Sequence, residues 1–141
     1  MASKFRGPEL IKKIDKALDN GIKRFIINTQ SKLSVSSPVD SGRLASSWFV
    51  GEGEPNREER PPDWAKPGDK KVKVKRPSFP IVYKNTTYWI SNSLPYAEIA
   101  ALDPGYVGRR GGGRGDWYTA IINNLPKDSD RTFQFFLKQV R

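Results

Sequence analysis

The sequence predicts an α+β fold: a long N-terminal helix, a small antiparallel β-sheet, and short helices after the sheet and at the C-terminus. Three observations support this prediction. Apolar residues recur every three or four positions over residues 8–34, β-rich segments lie between residues 47 and 92, and helical spacing returns over residues 93–141. At 141 residues the chain is expected to form a single domain, 1–141.

The N-terminal helix is predicted over residues 8–34. Its apolar side chains, among them Leu10, Ile14 and Leu18, form one stripe, and mostly basic side chains occupy the opposite face. Pro8 suits the first helical turn. A helix of about 25 residues is about 38 Å long. A stripe of that length is expected either to lie across a sheet or to pack against a neighbouring subunit.

The segment after this helix is predicted to turn a corner into the sheet. Pro38 favours an extended conformation at the preceding residue, and Asp40 or Ser41 then caps a short helix that begins at Gly42. Residues 47–50 are predicted to form a strand.

A long loop is predicted over residues 51–69, which are rich in Gly, Pro and charged residues. Trp64 lies inside it and is the candidate partner-interface aromatic, because Trp is enriched at contact hot spots. The alternation of Lys and Val over Lys70–Arg76 predicts a strand with one basic face. Residues 81–83 and 87–92 are predicted to pair as an antiparallel hairpin.

The C-terminal third is predicted to be helical around one loop. A short helix is expected over residues 94–102, and a second helix over residues 117–124, which Pro126 ends. The tail, residues 129–141, again shows helical spacing. Between the first two lies a Gly/Arg-rich loop, residues 105–115.

Positive charge is concentrated in two of these segments. The chain has 25 Lys and Arg against 15 Asp and Glu, a net charge of +10. The candidate DNA-facing residues are Lys70, Lys71, Lys73, Lys75 and Arg76. The candidate partner-interface residues beside Trp64 are Arg109, Arg110 and Arg114. Clustered cations suit a phosphate backbone, but alternating Lys residues also keep an edge strand soluble, and an acidic neighbour is a third explanation.

The composition excludes several classes of enzyme. The chain contains no His and no Cys, which removes Ser-His-Asp and Cys-His nucleophiles, zinc sites built on these residues, and disulfides. No pair of carboxylates lies in an apolar setting that would suit general-acid chemistry. We therefore expect no catalytic activity, no cofactor and no metal. No apolar run is long enough to span a membrane, so no membrane partner is expected.

Two motifs in order resemble a known family. The first is Ser-Pro-Val-Asp-Ser-Gly-Arg-Leu, with Pro38, Asp40, Gly42 and Arg43. The second is Asn-Ser-Leu-Pro-Tyr-Ala, with Asn92, Pro95 and Tyr96. Together with the long helix before them, they resemble the tail-completion (neck) proteins of tailed bacteriophages, which are head–tail connector or minor tail components. The resemblance covers about residues 8–105; the loop 51–69 and the Gly/Arg-rich loop depart from it.

The resemblance implies a virion protein with an assembly role. It implies a long helix packed on an antiparallel sheet and a homo-oligomeric ring, expected to be hexameric, around the DNA channel. The implied partners are a head-side connector or stopper protein and a tail terminator or tail-tube protein, with non-specific contact to DNA in the lumen. The protein would be made in the host bacterial cytoplasm and end in the neck of the virion. The motif residues would fix the two corners that join helix to strand.

A second function stays open on the same residues. The net charge and the basic loops are also typical of a free-standing nucleic-acid-binding domain without sequence preference. No recognition helix or RNA-binding motif is evident, so base reading is not expected.

Overall fold

A computed structural model of the chain describes residues 6–66, 69, 71–84, 87–103, 105–106, 112–113 and 115–140. The elements in chain order are α1 (Gly7–Ser36), β1 (Phe49–Glu52), β2 (Tyr88–Ser91), α2 (Ala97–Leu102) and α3 (Trp117–Leu137). The predicted fold class is confirmed, since a long N-terminal helix is followed by an antiparallel pair of strands and by further helices.

Helix α1 spans 30 residues and agrees closely with the predicted segment 8–34. Pro8 lies in its first turn, where the missing N–H costs no intrahelical hydrogen bond. The helix ends because Ser37 adopts an extended conformation before Pro38. The Ser37 hydroxyl donates to the carbonyl of Leu33 at 2.6 Å, so the last turn of α1 is closed by a side chain.

The short helix predicted from Gly42 is not formed, and hydrogen-bonded turns take its place. The backbone N–H of Ser46 donates to the carbonyl of Gly42 at 2.9 Å, and that of Ser47 donates to Leu44 at 3.1 Å. Strand β1 begins directly after these turns and overlaps the predicted strand 47–50.

The partner of β2 differs from the prediction. Phe49 pairs with Ser91 and Glu52 with Tyr88, so the predicted hairpin between residues 81–83 and 87–92 is wrong. The two strands of the sheet are separated by a long stretch of chain, and local sequence pattern carries no information on such pairing.

Residues 81–83 pack beside the sheet instead of joining it. Ile81 is buried in a cluster with Ile26 of α1 and Val50 of β1. The N–H of Val82 donates to the Tyr88 hydroxyl at 2.8 Å, and that hydroxyl donates to the Val82 carbonyl at 3.1 Å. The Tyr88 hydroxyl therefore takes up the backbone N–H and carbonyl of Val82, which have no partner strand among the described residues.

The strand predicted over Lys70–Arg76 is also wrong for the described residues 71–76, which pair with no strand. Side chains take the place of a partner strand. The N–H of Lys73 donates to the Ser46 hydroxyl at 2.8 Å, and the carbonyl of Lys75 accepts from the Gln30 amide at 2.9 Å. We call residues 71–76 the basic segment.

Helix α3 continues through Pro126 for 21 residues, so the prediction that a helix ends there is wrong. Packing against α1 explains why. The Phe133 ring lies against Gly21, where no side chain intervenes, and Trp117 is buried beside Leu33. The two helices therefore run antiparallel, and this burial offsets the backbone hydrogen bond that Pro126 cannot make.

The sheet lies between the helices and the loop after β1. On one face, Val50 packs against Ile26 of α1. On the other face, the Arg60 guanidinium lies 5.4 Å from the centroid of the Phe49 ring. Residues 53–66, which form neither helix nor strand, thus cover the second face of a sheet that has only two strands among the described residues.

Candidate functional site

The two sequence motifs, residues 37–48 and 90–98, meet in space. Asn92 connects them, because its amide nitrogen donates to the carbonyl of Leu44 at 2.9 Å and its amide oxygen accepts from the N–H of Leu94 at 3.3 Å. Leu44 and Leu94 are buried in one apolar cluster. The motifs therefore form a single unit, which we call the corner.

Arg43 and Tyr96 lie side by side in the corner. The Nε of Arg43 donates to the carbonyl of Arg60 at 2.6 Å, and its guanidinium forms a 3.6 Å ion pair with Glu59. Burial raises the pKa of the Tyr96 hydroxyl above its usual value, while the charge of Arg43 and its hydrogen bond to Tyr96 act in the opposite direction. Arg43 therefore ties the corner to the loop that follows β1.

Gly42 allows the basic segment to approach the corner. Its φ is +88°, and a Cβ at this position would collide with the carbonyl of Lys71. The N–H of Lys71 donates to the carbonyl of Ser41 at 3.0 Å. Glycine combines a positive φ with the absence of a side chain, and this contact needs both. Of the other motif residues, Asp40 and Pro95 are exposed.

The end of the Gly/Arg-rich loop packs against the start of the corner. The N–H of Gly113 donates to the carbonyl of Ser36 at 2.7 Å. Gly113 has a φ of +65°, and a Cβ there would collide with the ring of Pro38, which is buried. The candidate interface residues of this loop, Arg109, Arg110 and Arg114, lie outside the described residues.

Trp64, the predicted interface aromatic, is half-buried against its own chain. The Arg60 guanidinium lies 4.3 Å and the Lys71 ammonium 4.1 Å from the centroid of its ring. Its indole N–H donates to the carbonyl of Lys71 at 2.7 Å. Trp64 thus joins the loop after β1 to the basic segment through cation–π contacts and a hydrogen bond. Its contact with a partner stays a prediction.

The lysines of the basic segment have different surroundings. Lys71 lies over Trp64, as above, and the Nζ of Lys75 forms a 3.2 Å ion pair with Glu58. The side chain of Lys73 is exposed, and Lys70 lies outside the described residues. Two of the predicted DNA-facing lysines are therefore in contact with groups of their own chain.

Arg76 is bound to α1. Its guanidinium donates to the carbonyl of Ile27 at 3.3 Å, to the amide oxygen of Gln30 at 3.2 Å, and to the hydroxyl of Ser31 at 3.1 Å. The residue is nevertheless exposed. Arg76 is thus a solvent-facing cation held in a fixed place on the helix.

Gln30 is not among the site residues that the sequence predicts. This side chain is 0% exposed, and its amide donates to the carbonyls of Trp48 and Lys75, both at 2.9 Å. The signal was present, because Gln30 stands four residues after Ile26 and three before Leu33, on the border of the apolar stripe. A long amide at such a position indicates a buried polar group with specific partners.

An apolar groove of about 330 Å³ lies between β2, α2 and α3 and is lined by Ile90, Ala101 and Tyr118, among others. No strand pairs with the second side of β2 among the described residues. Ile99 and Leu102 of α2 are 56% and 58% exposed. We call this groove, together with Ile99 and Leu102, the edge surface.

A second apolar surface lies at one end of the helix pair. Leu10 and Ile11 in the first turns of α1 are exposed, as are Phe135 and Leu137 in the last turns of α3. Because α1 and α3 run antiparallel, both pairs of residues belong to the same end. Phe135 and Leu137 lie about 160° apart around the axis of α3, so these side chains surround this end of the helix pair and do not form one flat patch. We call these four residues the helix-end surface.

Comparison with known proteins gives no relative. No protein-family model matches the chain, and neither the curated proteins nor the solved structures give a match. Within the described part of the chain, no group of three or more His, Cys, Asp or Glu residues could hold a metal ion. No helix of that part is long and apolar enough to cross a membrane.

The polar side chains of the corner and its surroundings act on the protein's own backbone. Gln30, Arg43, Arg60 and Asn92 all donate to main-chain carbonyls. No buried side-chain nitrogen or oxygen of the described residues lacks a hydrogen-bond partner. These groups position loops, and the exposed apolar surfaces stay available to another molecule.

Proposed function

We propose that this chain is a structural subunit of the neck of a tailed bacteriophage, where its copies form a ring that joins the head connector to the tail around the DNA channel. The observation that carries the proposal is the exposure of two separate apolar surfaces, the edge surface and the helix-end surface. A closed ring joins one face of each subunit to a different face of the next, so each subunit needs two such surfaces.

The use of the motif residues supports the same function. Asn92 holds the two halves of the corner together, and Arg43 binds the loop after β1. Gly42 lets the basic segment pass close to the corner. Long loops that are fixed on a small sheet by side chains give a ring subunit extended surfaces for its neighbours. The proposed neighbours are a head-side connector or stopper and a tail terminator or tail-tube protein, and the proposed ring is hexameric.

The first experiment measures the mass of the purified chain and of two variants by native mass spectrometry and light scattering. Leu102→Asp places a charge on the edge surface and is expected to abolish the ring. Val35→Asp is the matched control: Val35 is 79% exposed and belongs to neither surface, so its ring is expected to persist. Circular dichroism checks that both variants stay folded.

Two results would contradict the proposal. One is that the chain forms no ring either alone or when co-expressed with the head-side and tail-side proteins of its own phage, and the other is that both variants assemble alike. A chain that stays monomeric in all these conditions and binds nucleic acid would favour the alternative function, a nucleic-acid-binding domain without sequence preference.

A further inference from the structure

One face of α1 carries a row of cations. At 100° per residue, Lys12, Lys16 and Lys23 fall within about 40° of one another around the helix axis, and Arg24 lies about 120° from Lys12. All four residues are exposed. Gly21, which lies against Phe133 of α3, is about 140–180° around the axis from these three lysines, and Ile22, which packs against the sheet, is about 80–120° from them. The cations therefore point away from the body of the domain.

Arg76 continues this row. It binds α1 at Ile27, Gln30 and Ser31, which belong to the same sector of the helix as Lys12 and Lys23. Because the Arg76 guanidinium is bound beside Ser31, the row of cations extends along α1 from residue 12 to residue 31. This is a length of about 28 Å at 1.5 Å per residue. We call Lys12, Lys16, Lys23, Arg24 and Arg76 the cationic face.

The acidic residues of α1 neutralise only part of this face. The carboxylate of Asp15 pairs with the Lys84 ammonium at 2.9 Å, and that of Asp19 accepts from the N–H of Tyr83 at 2.8 Å. Both thus bind the segment that follows the basic segment. Glu9 lies in the first turn, where the helix dipole also favours it. The hydrogen bond from the neutral Tyr83 N–H leaves the charge of Asp19 in place, and Asp19 stands three residues after Lys16 and four before Lys23. The five cations of the face therefore stand against Glu9 and Asp19, and the face keeps a net positive charge.

We propose that the cationic face binds the phosphate backbone of duplex DNA without reading its sequence. Duplex DNA carries one negative charge per about 1.7 Å of its axis, so a straight row of cations about 28 Å long meets many phosphates at once. Binding releases condensed counterions, and this release favours a spaced row of cations over a single site. The proposal goes beyond ring assembly, because it concerns a property of the separate chain.

The composition of the face favours DNA over an acidic protein. From residue 12 to residue 24, the sector that holds the four cations otherwise contains only Lys13 and Asn20, with no apolar side chain. Protein interfaces depend on aromatic and apolar anchors near their centre, and this sector has none between residues 12 and 24. Phosphate contacts need only positioned cations, and they fix a protein on DNA without base recognition.

The test compares two triple variants that remove the same charge from the full chain. Lys12→Gln, Lys16→Gln and Lys23→Gln together change the cationic face. Lys127→Gln, Arg131→Gln and Lys138→Gln together change three exposed cations in and just after α3. Gln has nearly the helix propensity of Lys, so both proteins are expected to fold. Fluorescence anisotropy with a labelled duplex of mixed sequence gives the dissociation constant at several salt concentrations.

The face variant is expected to bind DNA about tenfold or more weakly. The slope of log K against log salt concentration is expected to become less negative by about 0.9 for each phosphate contact that is lost. The control variant is expected to stay close to the wild type in both respects. Equal losses in both variants would overturn the proposal, since net charge alone would then explain binding. Unchanged binding by the face variant would overturn it as well.

Two further measurements separate this inference from its rivals. The first is competition for the labelled duplex by poly-glutamate and by unlabelled duplex at equal charge. If poly-glutamate displaces the labelled duplex as effectively as unlabelled duplex does, the face belongs to an acidic protein and the proposal is overturned. The native mass of the face variant tests ring assembly separately. A ring that forms normally without DNA binding would overturn this inference alone and leave the proposed function standing.

Discussion

The side-chain amide of Gln30 donates a hydrogen bond to the carbonyl of Lys75 at 2.9 Å. The same nitrogen donates to Trp48, immediately before β1. One buried group of α1 therefore holds the approach to the sheet and the basic segment together.

Replacement of Gln30 by Leu is expected to lower the free energy of unfolding by about 2–4 kcal/mol, because the carbonyls of Trp48 and Lys75 lose their donor. Urea unfolding measures the change. Gln134→Leu is the matched control, since Gln134 is exposed on α3, and a change within about 0.5 kcal/mol is expected there. Equal changes in the two variants would show that Gln30 does not have this role.

Gly42→Ala is expected to destabilise the protein by about 3 kcal/mol or more, because the new Cβ meets the Lys71 carbonyl at a backbone conformation that alanine disfavours. Gly115→Ala separates the cost of the backbone conformation from the cost of the collision. Gly115 also has a positive φ, +59°, but nothing lies within 4 Å of an added Cβ. A cost of about 1–2 kcal/mol is expected there. Thermal unfolding that gives both variants the same cost would contradict the close approach at Gly42.

Trp64→Ala is expected to free the loop that covers the sheet, because it removes the cation–π contacts with Arg60 and Lys71 and the hydrogen bond to the Lys71 carbonyl. Hydrogen–deuterium exchange should rise over residues 58–66 and 71–76 and stay unchanged in α1. Phe135→Ala, which truncates an exposed aromatic on α3, is expected to leave exchange in both segments unchanged. Unaltered exchange in the Trp64 variant would count against this role.

Stability at alkaline pH is expected to depend on Tyr96. Its pKa in the folded protein is raised above the ordinary value of 10.0, chiefly by burial. As the pH rises past about 10, the unfolded chain loses this proton first, so the folded state binds more protons and the free energy of unfolding falls. Tyr96→Phe is expected to lose the Arg43 hydrogen bond at neutral pH, but its free energy of unfolding is expected to fall less steeply above about pH 9. Urea unfolding at a series of pH values measures this dependence, and the same dependence on pH in both proteins would refute the role of Tyr96.

Pro126→Ala is expected to stabilise the protein by about 1–3 kcal/mol, because alanine restores the missing N–H within α3 and relieves the clash of the proline ring. Calorimetry measures the gain. A loss of stability would show instead that α3 needs a bend at this position to follow α1.

The elements that the sequence predicts correctly are those defined by local signals. The spacing of apolar residues predicts helix α1, and Pro38 after Ser37 predicts where that helix ends. The corner motifs were identified as two separate turns, whereas their contact through Asn92 and Leu44 joins positions far apart in the chain. No local pattern carries that information.

The errors have a common physical cause, which is tertiary structure that overrides local preference. The basic segment has the alternation of a strand, but Gln30, Ser46 and Arg60 bind its backbone in place of a second strand. Pro126 is a helix breaker by itself, yet the packing of α3 on α1 carries the helix past it. In both segments, distant side chains decided the outcome.

Helix α1 has a different neighbour in each direction, with the sheet and α3 on one side, the basic segment on another, and solvent beyond the cationic face. Each residue added to a helix rotates everything after it by about 100° and advances it by about 1.5 Å. One insertion in the middle of α1 would misalign all three sides together, whereas an exchanged side chain alters one. The architecture therefore places a stricter demand on the number of residues in α1 than on the identity of most of them.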